Sequence, residues 1–426
     1  MSQLHYTRYN IAILVFRIII LNVLIMSDKV KKYISENWNK CIKENQKDDG
    51  TLIGLPYPYT VPSVGHFDEI YYWDTYFTNA GLILSNNIEQ AKNNVDNILY
   101  LVKKFGFMPN ANRQWAITRS QPPFLSFMVK DIYEQTKDRA WLKDAYALLR
   151  TEYEYWQGRR STPSGLNRYY GENKNFKFFA DLFCDRLKIE KTQDEETICE
   201  YAQSFQSGAE SGWDFSSRCG LYSHEFNWVD LNSLMYGFEK NMAEFSSELA
   251  LNEAEKWNNA AEKRLKLINE LMWNEERGAF FDYDFVNKKQ GKLLSVATYY
   301  PLFVGLATAG RAERIVKTLD KLEQKYGIAA SEYTDDILNL QWDYPNGWPC
   351  LQFIAVKGLF KYGYENEAKR IAQKYIDVVD RNFERTHQLW EKYDILSGEI
   401  SVSKEYKTPP MLGWTGGTYL YCKTKV

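Results

Sequence analysis

The stretch "ESGWDFSSR", residues 210–218, contains an acid in a setting that suits proton donation. Asp214 directly follows Trp213, and an indole beside a carboxyl group shields it from water and favours its protonated form. Two structural alternatives remain open from the residues alone. Asp214 can instead cap a helix that begins at the following serines, and Glu210 and Arg218 can form an ion pair that braces the loop.

A second acid occurs in "LWEKYD", residues 389–394, where Glu391 lies between Trp390 and Lys392. A nearby cation favours the ionised carboxylate that a general base requires. The alternative is an ordinary exposed glutamate in a turn. Brought together, Asp214 and Glu391 would form an acid and base pair for glycoside hydrolysis. A separation of about 6.5–9.5 Å leaves room for the attacking water and gives inversion at the anomeric carbon.

Three further loops combine aromatic rings with side chains that hydrogen-bond hydroxyl groups, namely "FDEIYYWD", "MPNANRQWAITRSQPP" and "QWDYPNGWPCLQ". Their candidate sugar-contacting residues are Phe67, Trp73, Asp74, Asn110, Arg119, Gln121, Gln341, Trp342, Asp343, Asn346 and Trp348. Simpler roles remain open for each loop. The first can be the aromatic start of a core helix, Arg119 can lie at the surface, and Asn346 can serve only to form a turn.

The composition is that of an ordinary globular protein with an unusual share of aromatic residues. Of 426 residues, 45% are hydrophobic, 25% are charged and 16% are aromatic. A surplus of rings suits sugar stacking, although an aromatic-rich core explains it equally well. The formal net charge of −2, with both signs intermixed, gives no electrostatic footprint for nucleic acid.

The cysteine and histidine patterns argue against a metal site. The six cysteines are scattered without short paired spacings, and the four histidines form no HExxH motif. Free thiols are typical of a reducing compartment. We therefore expect no metal, free cysteines and a cytoplasmic location.

The N-terminal segment is distinctive because residues 10–26 are apolar enough to suggest a signal peptide or a membrane anchor. Arg17 interrupts this run, which is short for a membrane span, and no small-residue cleavage site follows it. We interpret residues 1–25 as an extension upstream of the true start at Met26. A protein anchored through residues 10–26 is the alternative.

Helical periodicity recurs from residue 30 onwards, whereas convincing strand alternation is hard to find. Amphipathic stripes run through residues 139–156, 229–249 and 368–383. Further helices are expected near residues 30–45, 70–84, 88–104, 121–137, 192–206, 251–274, 297–308, 310–325, 350–362 and 409–422. No charged or Pro/Ser-rich linker divides residues 26–426, so we expect one domain. Periodicity alone does not distinguish a bundle, an open solenoid and a closed double ring.

The motifs resemble those of a known family. "ESGWDFSSR" and "QWDYPNGW" resemble, in the same order, the two signature stretches of the trehalase family of inverting glycoside hydrolases. The segments "YYWDTYF", "RSQPP", "GLNRYY", "VDLNSLMY", "EKYD" and "GWTGG" also resemble trehalase segments, so the likeness extends over residues 54–420. It implies an all-α fold, the (α/α)6 barrel, in which six helical hairpins form two concentric rings with the site at one end. It also implies that no metal and no organic cofactor takes part.

The resemblance implies a role for each matching residue. Asp214 corresponds to the general acid and Glu391 to the general base. The matching substrate-binding positions are Phe67, Trp73, Asp74, Asn110, Arg119, Gln121, Gly212, Trp342, Asn346, Trp348, Glu405 and Trp414. The predicted reaction is hydrolysis of a small α-glucoside, with α,α-trehalose as the first candidate. The alternatives are another small α-glucoside, such as glucosylglycerate, and a barrel that binds sugar without hydrolysing it.

The sequence departs from the family pattern at three places. Trehalases usually carry an arginine ahead of "YYWD", where this chain has His66 beside Phe67. They carry an Arg-Pro-Glu-Ser segment after "LNRYW", where this chain continues "LNRYYGENKNFKFF". Of their glycine-rich lid, only Glu405 and Tyr406 remain in "SGEISVSKEYKTPP". We therefore expect the recognition of the second glucose to differ.

Overall fold

The computed structural model describes residues 29–172, 174–336, 338–402 and 406–426. Two N-terminal predictions lie outside these ranges, namely the extension at residues 1–25 and the alternative membrane anchor at residues 10–26. Among the described residues, no helix combines the length and the apolar character that are needed to cross a membrane.

Helices make up most of the described chain and agree with most of the predicted ones to within a few residues. In chain order they are α1 (29–37), α2 (Tyr72–Leu84), α3 (Ile88–Phe105), α4 (Leu125–Thr136), α5 (Arg139–Gln157), α6 (Phe176–Leu187), α7 (Glu195–Ser211), α8 (Val229–Glu248), α9 (Ala254–Leu271), α10 (Tyr300–Val304), α11 (Ala309–Lys317), α12 (Leu319–Leu322), α13 (Pro349–Lys361), α14 (Glu365–Thr386) and α15 (Gly413–Lys423).

Six of these helices form an inner ring. In the order α2, α4, α8, α10, α13 and α15, each contacts the next, and α15 returns to α2 to close the ring. Nearly every residue of α2 and α13 is buried. A helix that is apolar all round must lie inside a core, whereas a surface helix needs a polar face. These contacts confirm the expected (α/α)6 barrel.

The outer helices are amphipathic. The predicted stripes at residues 139–156 and 368–383 belong to two of them, α5 and α14, whereas the stripe at residues 229–249 belongs to the inner helix α8. α3, α5, α9 and α14 each follow an inner helix and pack back against it as a helical hairpin. In α14 the buried stripe includes Ile371, Tyr375 and Val379, while charged residues occupy the opposite face. Periodicity could not distinguish a bundle, an open solenoid and a closed double ring. The chain adopts the closed double ring.

One helical hairpin stands apart from the two rings. α6 was not predicted, and it packs along α7 rather than against the inner ring. Its apolar residues join a separate hydrophobic cluster of Phe183, Phe215 and Leu340. Because this cluster is small, the apolar stripe of α6 is short, and the sequence pattern of "FKFFADLFCDRL" is correspondingly weak.

Two-residue strands pair in short antiparallel ladders at the ends of the helices. They are β1 (Ile42–Lys43), β2 (Tyr59–Thr60), β3 (Phe226–Asn227), β4 (Trp273–Asn274), β5 (Ala279–Phe280), β6 (Tyr283–Asp284), β7 (Lys289–Gln290), β8 (Glu323–Gln324), β9 (Gly327–Ile328), β10 (Asn346–Gly347), β11 (Tyr393–Asp394) and β12 (Glu399–Ile400). The pairing of β10 with β11 sets Asn346 opposite Asp394 and so joins the loop containing Trp342 to the loop containing Glu391. Strands of this length show no alternation in the sequence.

Candidate active site

A cavity of about 520 Å³, which we call the aromatic cavity, lies beside the N-termini of α2, α13 and α15. Twelve of the fourteen residues to which the family resemblance assigns a role line it. They are Phe67, Trp73, Asp74, Asn110, Arg119, Gln121, Gly212, Asp214, Trp342, Trp348, Glu391 and Trp414. The barrel therefore brings loops that are distant in the sequence around one space.

The predicted acid, Asp214, lies in the loop that follows α7 and is half-buried in the cavity wall. α7 ends at Ser211 and is followed by Gly212, which has a φ of +71°. A Cβ atom at this position would lie 2.8 Å from the Trp73 ring, so only glycine permits the close approach of the two. Gln341 donates a side-chain hydrogen bond to the backbone carbonyl of Asp214 and fixes the loop from the opposite side.

Neither structural alternative for the "ESGWDFSSR" stretch is what the chain adopts. The short helix after Asp214 is capped by Ser216, whose hydroxyl oxygen accepts a hydrogen bond from the Arg218 backbone N–H. Glu210 and Arg218 do not pair with each other. Arg218 instead binds Asp230 at 2.7 Å and Asp282 at 2.8 Å, all three with buried side chains.

Glu210 forms a buried hub beneath the cavity. Its carboxylate accepts hydrogen bonds from Arg160 at 2.5 Å, from the Tyr155 hydroxyl at 2.9 Å, and from the backbone N–H groups of Ser120 at 2.8 Å and Tyr170 at 2.6 Å. These contacts join α7 to the "RSQPP" loop and to the loop after α5. The acid that precedes the "SGWD" sequence therefore holds the site together and does not enter the cavity.

The predicted base, Glu391, is 5% exposed and is held by two donors. Its Oε2 atom accepts hydrogen bonds from Lys392 Nζ at 2.6 Å and from the Tyr406 hydroxyl at 2.8 Å. In the part of the chain that the structure describes, no donor is bound to Oε1. The Trp414 indole N–H donates to the Glu391 backbone carbonyl at 3.2 Å. The exposed-turn alternative is therefore wrong, because the carboxylate is buried and oriented.

Asp74 is a third acid in the cavity, in the first turn of α2. Burial, and to a lesser degree the charges of Glu391 and Asp214, raise the pKa of Asp74 to about 7. A carboxyl group with this pKa exchanges its proton near neutral pH. It can therefore both donate hydrogen bonds to sugar hydroxyl groups and accept hydrogen bonds from them.

Four indole rings form a rigid wall of the cavity. Trp342 and Trp348 stack in parallel with ring centroids 3.7 Å apart. Trp414 stands at right angles to Trp348 at 5.6 Å, and Trp73 is tilted against Trp342 at 5.6 Å. Large flat apolar surfaces of this kind suit the C–H faces of a pyranose ring, and their mutual packing fixes their orientation.

The "MPNANRQWAITRSQPP" loop contributes polar groups to the same cavity. The Asn110 amide donates at 3.3 Å to the backbone carbonyls of Ser120 and Ala209. Gln121 accepts a hydrogen bond from the Trp73 backbone N–H at 3.2 Å. Burial lowers the pKa of Arg119, while Asp214 and Glu210 oppose that change. The surface alternative for Arg119 is wrong, since the residue is half-buried and lines the cavity.

The two remaining candidates of the "QWDYPNGWPCLQ" loop, Gln341 and Asp343, have different positions. Gln341 lines the cavity. Asp343 does not line it, because its buried carboxylate accepts hydrogen bonds from the Ser217 hydroxyl at 2.6 Å and the Ser217 backbone N–H at 2.8 Å. The prediction that Asp343 contacts sugar is therefore wrong, and the residue instead ties this loop to the segment after Asp214.

Other residues that line the cavity were not among the predicted site residues. They are Pro62, His66, Tyr71, Trp115, Arg186, Ala209, Tyr406, Lys407, Pro409 and Met411. His66 precedes Phe67 and Tyr406 follows Glu405, two predicted site residues. Their positions next to these residues could have identified them from the sequence. Arg186 belongs to α6 and had no such signal.

Two residues with a role implied by the resemblance are not placed in the cavity. Asn346 does not line it, so this prediction is wrong. Its side-chain carbonyl accepts a hydrogen bond from the Ser401 hydroxyl, its amide donates to the Leu340 carbonyl at 3.4 Å, and its backbone belongs to β10. The turn-forming alternative is the correct one. Glu405 lies outside the described residues.

Other candidate sites lie away from the aromatic cavity. Among the described residues, Glu200, His224 and Glu225 form the one group whose ligand atoms are close enough to hold a metal ion. A further cavity of about 660 Å³ between α4, α8 and α13 contains lysines and acids, of which Lys130 and Glu244 pair at 2.5 Å. All six cysteines are free, and five of them are buried.

Comparison with known proteins agrees with the geometry. The trehalase family matches residues 20–425 of the chain. A periplasmic trehalase from Xanthomonas campestris pv. campestris is 32% identical over 418 residues, which is 92% of this chain and 72% of that protein. A periplasmic trehalase from Escherichia coli O8 is 33% identical over 403 residues, covering 88% of this chain and 70% of that protein.

Solved structures give the same result. Neutral trehalase from Saccharomyces cerevisiae is 28% identical, with a TM-score of 0.75 over 87% of this chain and 74% of the yeast chain. A mannosylglycerate hydrolase from Thermus thermophilus is 16% identical, with a TM-score of 0.63 over 85% of this chain and 95% of that one. The second match supports the fold alone.

The comparisons also correct one expectation. Free cysteines predicted a cytoplasmic location, but several relatives are named periplasmic trehalases, which contradicts that prediction. The inference failed because cysteines that are buried apart from one another remain free in an oxidising compartment as well. Matches of this extent and identity show that the chain belongs to the trehalase family of glycoside hydrolases.

Proposed function

We propose that this glycoside hydrolase cleaves α,α-trehalose into two glucose molecules with inversion at the attacked anomeric carbon. The observation that carries the proposal is the presence of Asp214 and Glu391 in one cavity walled by four indole rings. The names of the related trehalases support the choice of substrate.

In the proposed mechanism, Asp214 donates its proton to the glycosidic oxygen as the bond to the attacked carbon breaks. Glu391 accepts a proton from a water molecule that attacks the same carbon from the opposite face. Lys392 and Tyr406 hold Glu391 Oε2, which leaves Oε1 to receive that proton. The products are one glucose formed as the β-anomer and one α-glucose released as the leaving group.

Four of the other cavity residues are proposed to bind the glucose that is attacked. The indoles of Trp342 and Trp414 provide apolar surface for its ring, and Asp74 and Arg119 hydrogen-bond its hydroxyl groups. Asn110 and Gln121 mainly fix the loops that carry these groups, since their own hydrogen bonds run to the backbone.

Glucose release from trehalose, compared with release from a panel of other α-glucosides, tests the substrate. We expect the fastest glucose release from trehalose. Failure to release glucose from trehalose and from every other disaccharide in the panel would contradict the proposal. Asp214→Asn and Glu391→Gln should each lower kcat by orders of magnitude. Asp214→Asn should leave Tm unchanged, whereas Glu391→Gln should also lower Tm, because it leaves the buried Lys392 without its anion. Proton NMR of the first turnover should show β-glucose and α-glucose in equal amounts, whereas α-glucose alone would indicate retention.

A further inference from the structure

Arg186 extends into the aromatic cavity from a helix that lies outside the two rings of the barrel. It occupies the last turn of α6 and is half-buried. Two acids of the same helix are already paired with lysines, Asp181 with Lys177 and Asp185 with Lys191. Within the described ranges, no hydrogen bond or ion pair engages the Arg186 guanidinium. Its donors are therefore available to a molecule in the cavity.

The position of Arg186 relative to Asp214 is fixed by the small hydrophobic cluster beneath it. The cluster core consists of Phe183, Phe215 and Leu340. Each core residue belongs to a segment that reaches the cavity, because Phe183 lies one turn before Arg186, Phe215 follows Asp214, and Leu340 precedes Gln341. The rings of Phe183 and Phe215 have centroids 6.1 Å apart. Arg186 and Asp214 therefore belong to the same wall of the cavity.

The chemistry assigns a role to this wall. A general acid gives its proton to the glycosidic oxygen, and that oxygen departs with the leaving sugar. The wall that carries the acid therefore borders the leaving sugar, whereas the groups around Glu391 face the attacking water. A guanidinium presents five N–H donors in a planar fork, which can bridge two neighbouring hydroxyl groups.

We propose that Arg186 binds the leaving glucose and sets the specificity of the enzyme for its leaving group. This assignment rests on the proposed function. It concerns a segment in which the sequence departs from the family pattern, since α6 begins within the "LNRYYGENKNFKFF" stretch. The helix therefore supplies a cation in a part of the chain where the usual arginine-containing segment is missing.

The test compares two substrates that share the attacked glucose. α,α-Trehalose carries a leaving glucose, whereas α-glucosyl fluoride carries only a fluoride ion, which has no hydroxyl groups for Arg186 to bind. Arg186→Met should lower kcat/KM for trehalose by about 10- to 100-fold, the size expected for lost hydrogen bonds from a charged group. The same variant should change kcat/KM for α-glucosyl fluoride by less than about 3-fold.

Two further variants control for charge and folding. Lys188→Met removes a positive charge two residues away from an exposed position outside the cavity lining, and it should leave both rates unchanged. Arg186→Lys keeps the charge without the fork and should give an intermediate loss on trehalose alone.

Equal losses on both substrates, or no loss on trehalose, would overturn the role of Arg186. A wild-type protein that hydrolyses the fluoride but not trehalose would instead overturn the proposed substrate, and the leaving-glucose assignment with it.

Discussion

Lys392 donates a 2.6 Å hydrogen bond to the carboxylate of Glu391, its neighbour in the chain, and the lysine side chain is completely buried. The ammonium group also lies 4.7 Å from the Trp348 ring centroid and 4.3 Å from that of Tyr406. A buried ammonium must be balanced by an anion, and a buried carboxylate by a cation. The pair therefore places the proposed base beside its counter-charge inside an apolar wall.

Lys392→Met should consequently impair both activity and stability. Without the ammonium, Glu391 Oε2 loses its charged donor and the carboxylate is no longer held in one orientation, so kcat/KM for trehalose should fall by about 10- to 100-fold. We also expect unfolding to be easier by about 3–5 kcal/mol, because one buried charge is left unpaired. Tyr406→Phe removes only a neutral donor and should lower kcat/KM less. An unchanged kcat/KM in Lys392→Met would contradict this role.

The raised pKa of Asp74 predicts a pH-dependent contribution to stability. Between about pH 4 and pH 7 the folded protein keeps this proton while the unfolded chain releases it, so the contribution falls as the pH rises. The Asp74→Asn variant cannot ionise. Its free energy of unfolding, relative to that of wild type, should therefore increase as the pH rises from 4.5 to 8. We expect a gain of roughly 2–4 kcal/mol in urea unfolding.

A matched control for this measurement is Asp144→Asn, at an exposed position in α5. Its stability difference from wild type should be the same at both pH values. A constant difference for Asp74→Asn as well would show that the Asp74 carboxyl group titrates normally in the folded protein.

Gly212→Ala should damage the cavity through a steric contact. The added methyl group would lie 2.8 Å from the Trp73 ring and would displace that indole or the loop that carries Asp214. We expect kcat/KM for trehalose to fall by about 100-fold, since small misplacements of reacting groups carry losses of this size. Gly106→Ala is the control, because Gly106 also ends a helix with a positive φ but has nothing within 4 Å of its Cβ position. That variant should lose about 1 kcal/mol of stability and no activity.

The Glu210 hub predicts a large effect on stability from a small chemical change. Glu210→Gln preserves the shape of the side chain but leaves the buried Arg160 guanidinium without its anion. We expect the free energy of unfolding to fall by about 3–5 kcal/mol. The comparable change Glu172→Gln breaks only a solvent-exposed contact with Arg159 at 3.5 Å and should alter stability by less than about 1 kcal/mol. Similar values for the two variants would show that the hub is not a stabilising centre.

Much of the site could be predicted because its acids and their neighbours lie in short continuous segments of the sequence. "ESGWDFSSR" and "LWEKYD" each contain an acid together with the neighbours that define its environment, and the Lys392 contact with Glu391 is local in the sequence. The helices were accessible from periodicity. The closed barrel was predicted only through the family resemblance, because periodicity alone does not distinguish it from a bundle or an open solenoid.

Other features depend on contacts between distant segments and left no local signal. The Asn346 side chain bonds Ser401 and Leu340 instead of facing the cavity, because β10 pairs with β11. Arg218 binds Asp230 and Asp282 rather than its near neighbour Glu210.

The sequence by itself determined the residue types of the site, the helical scaffold and the family, because each depends on spacing along the chain. Tertiary structure decided which side chains face the aromatic cavity. It brought Tyr406 to Glu391 and directed Arg186 from α6 toward the same space. The physical reason is that hydrogen-bond partners and side-chain directions are selected by burial, and burial is known only once all the helices are packed together.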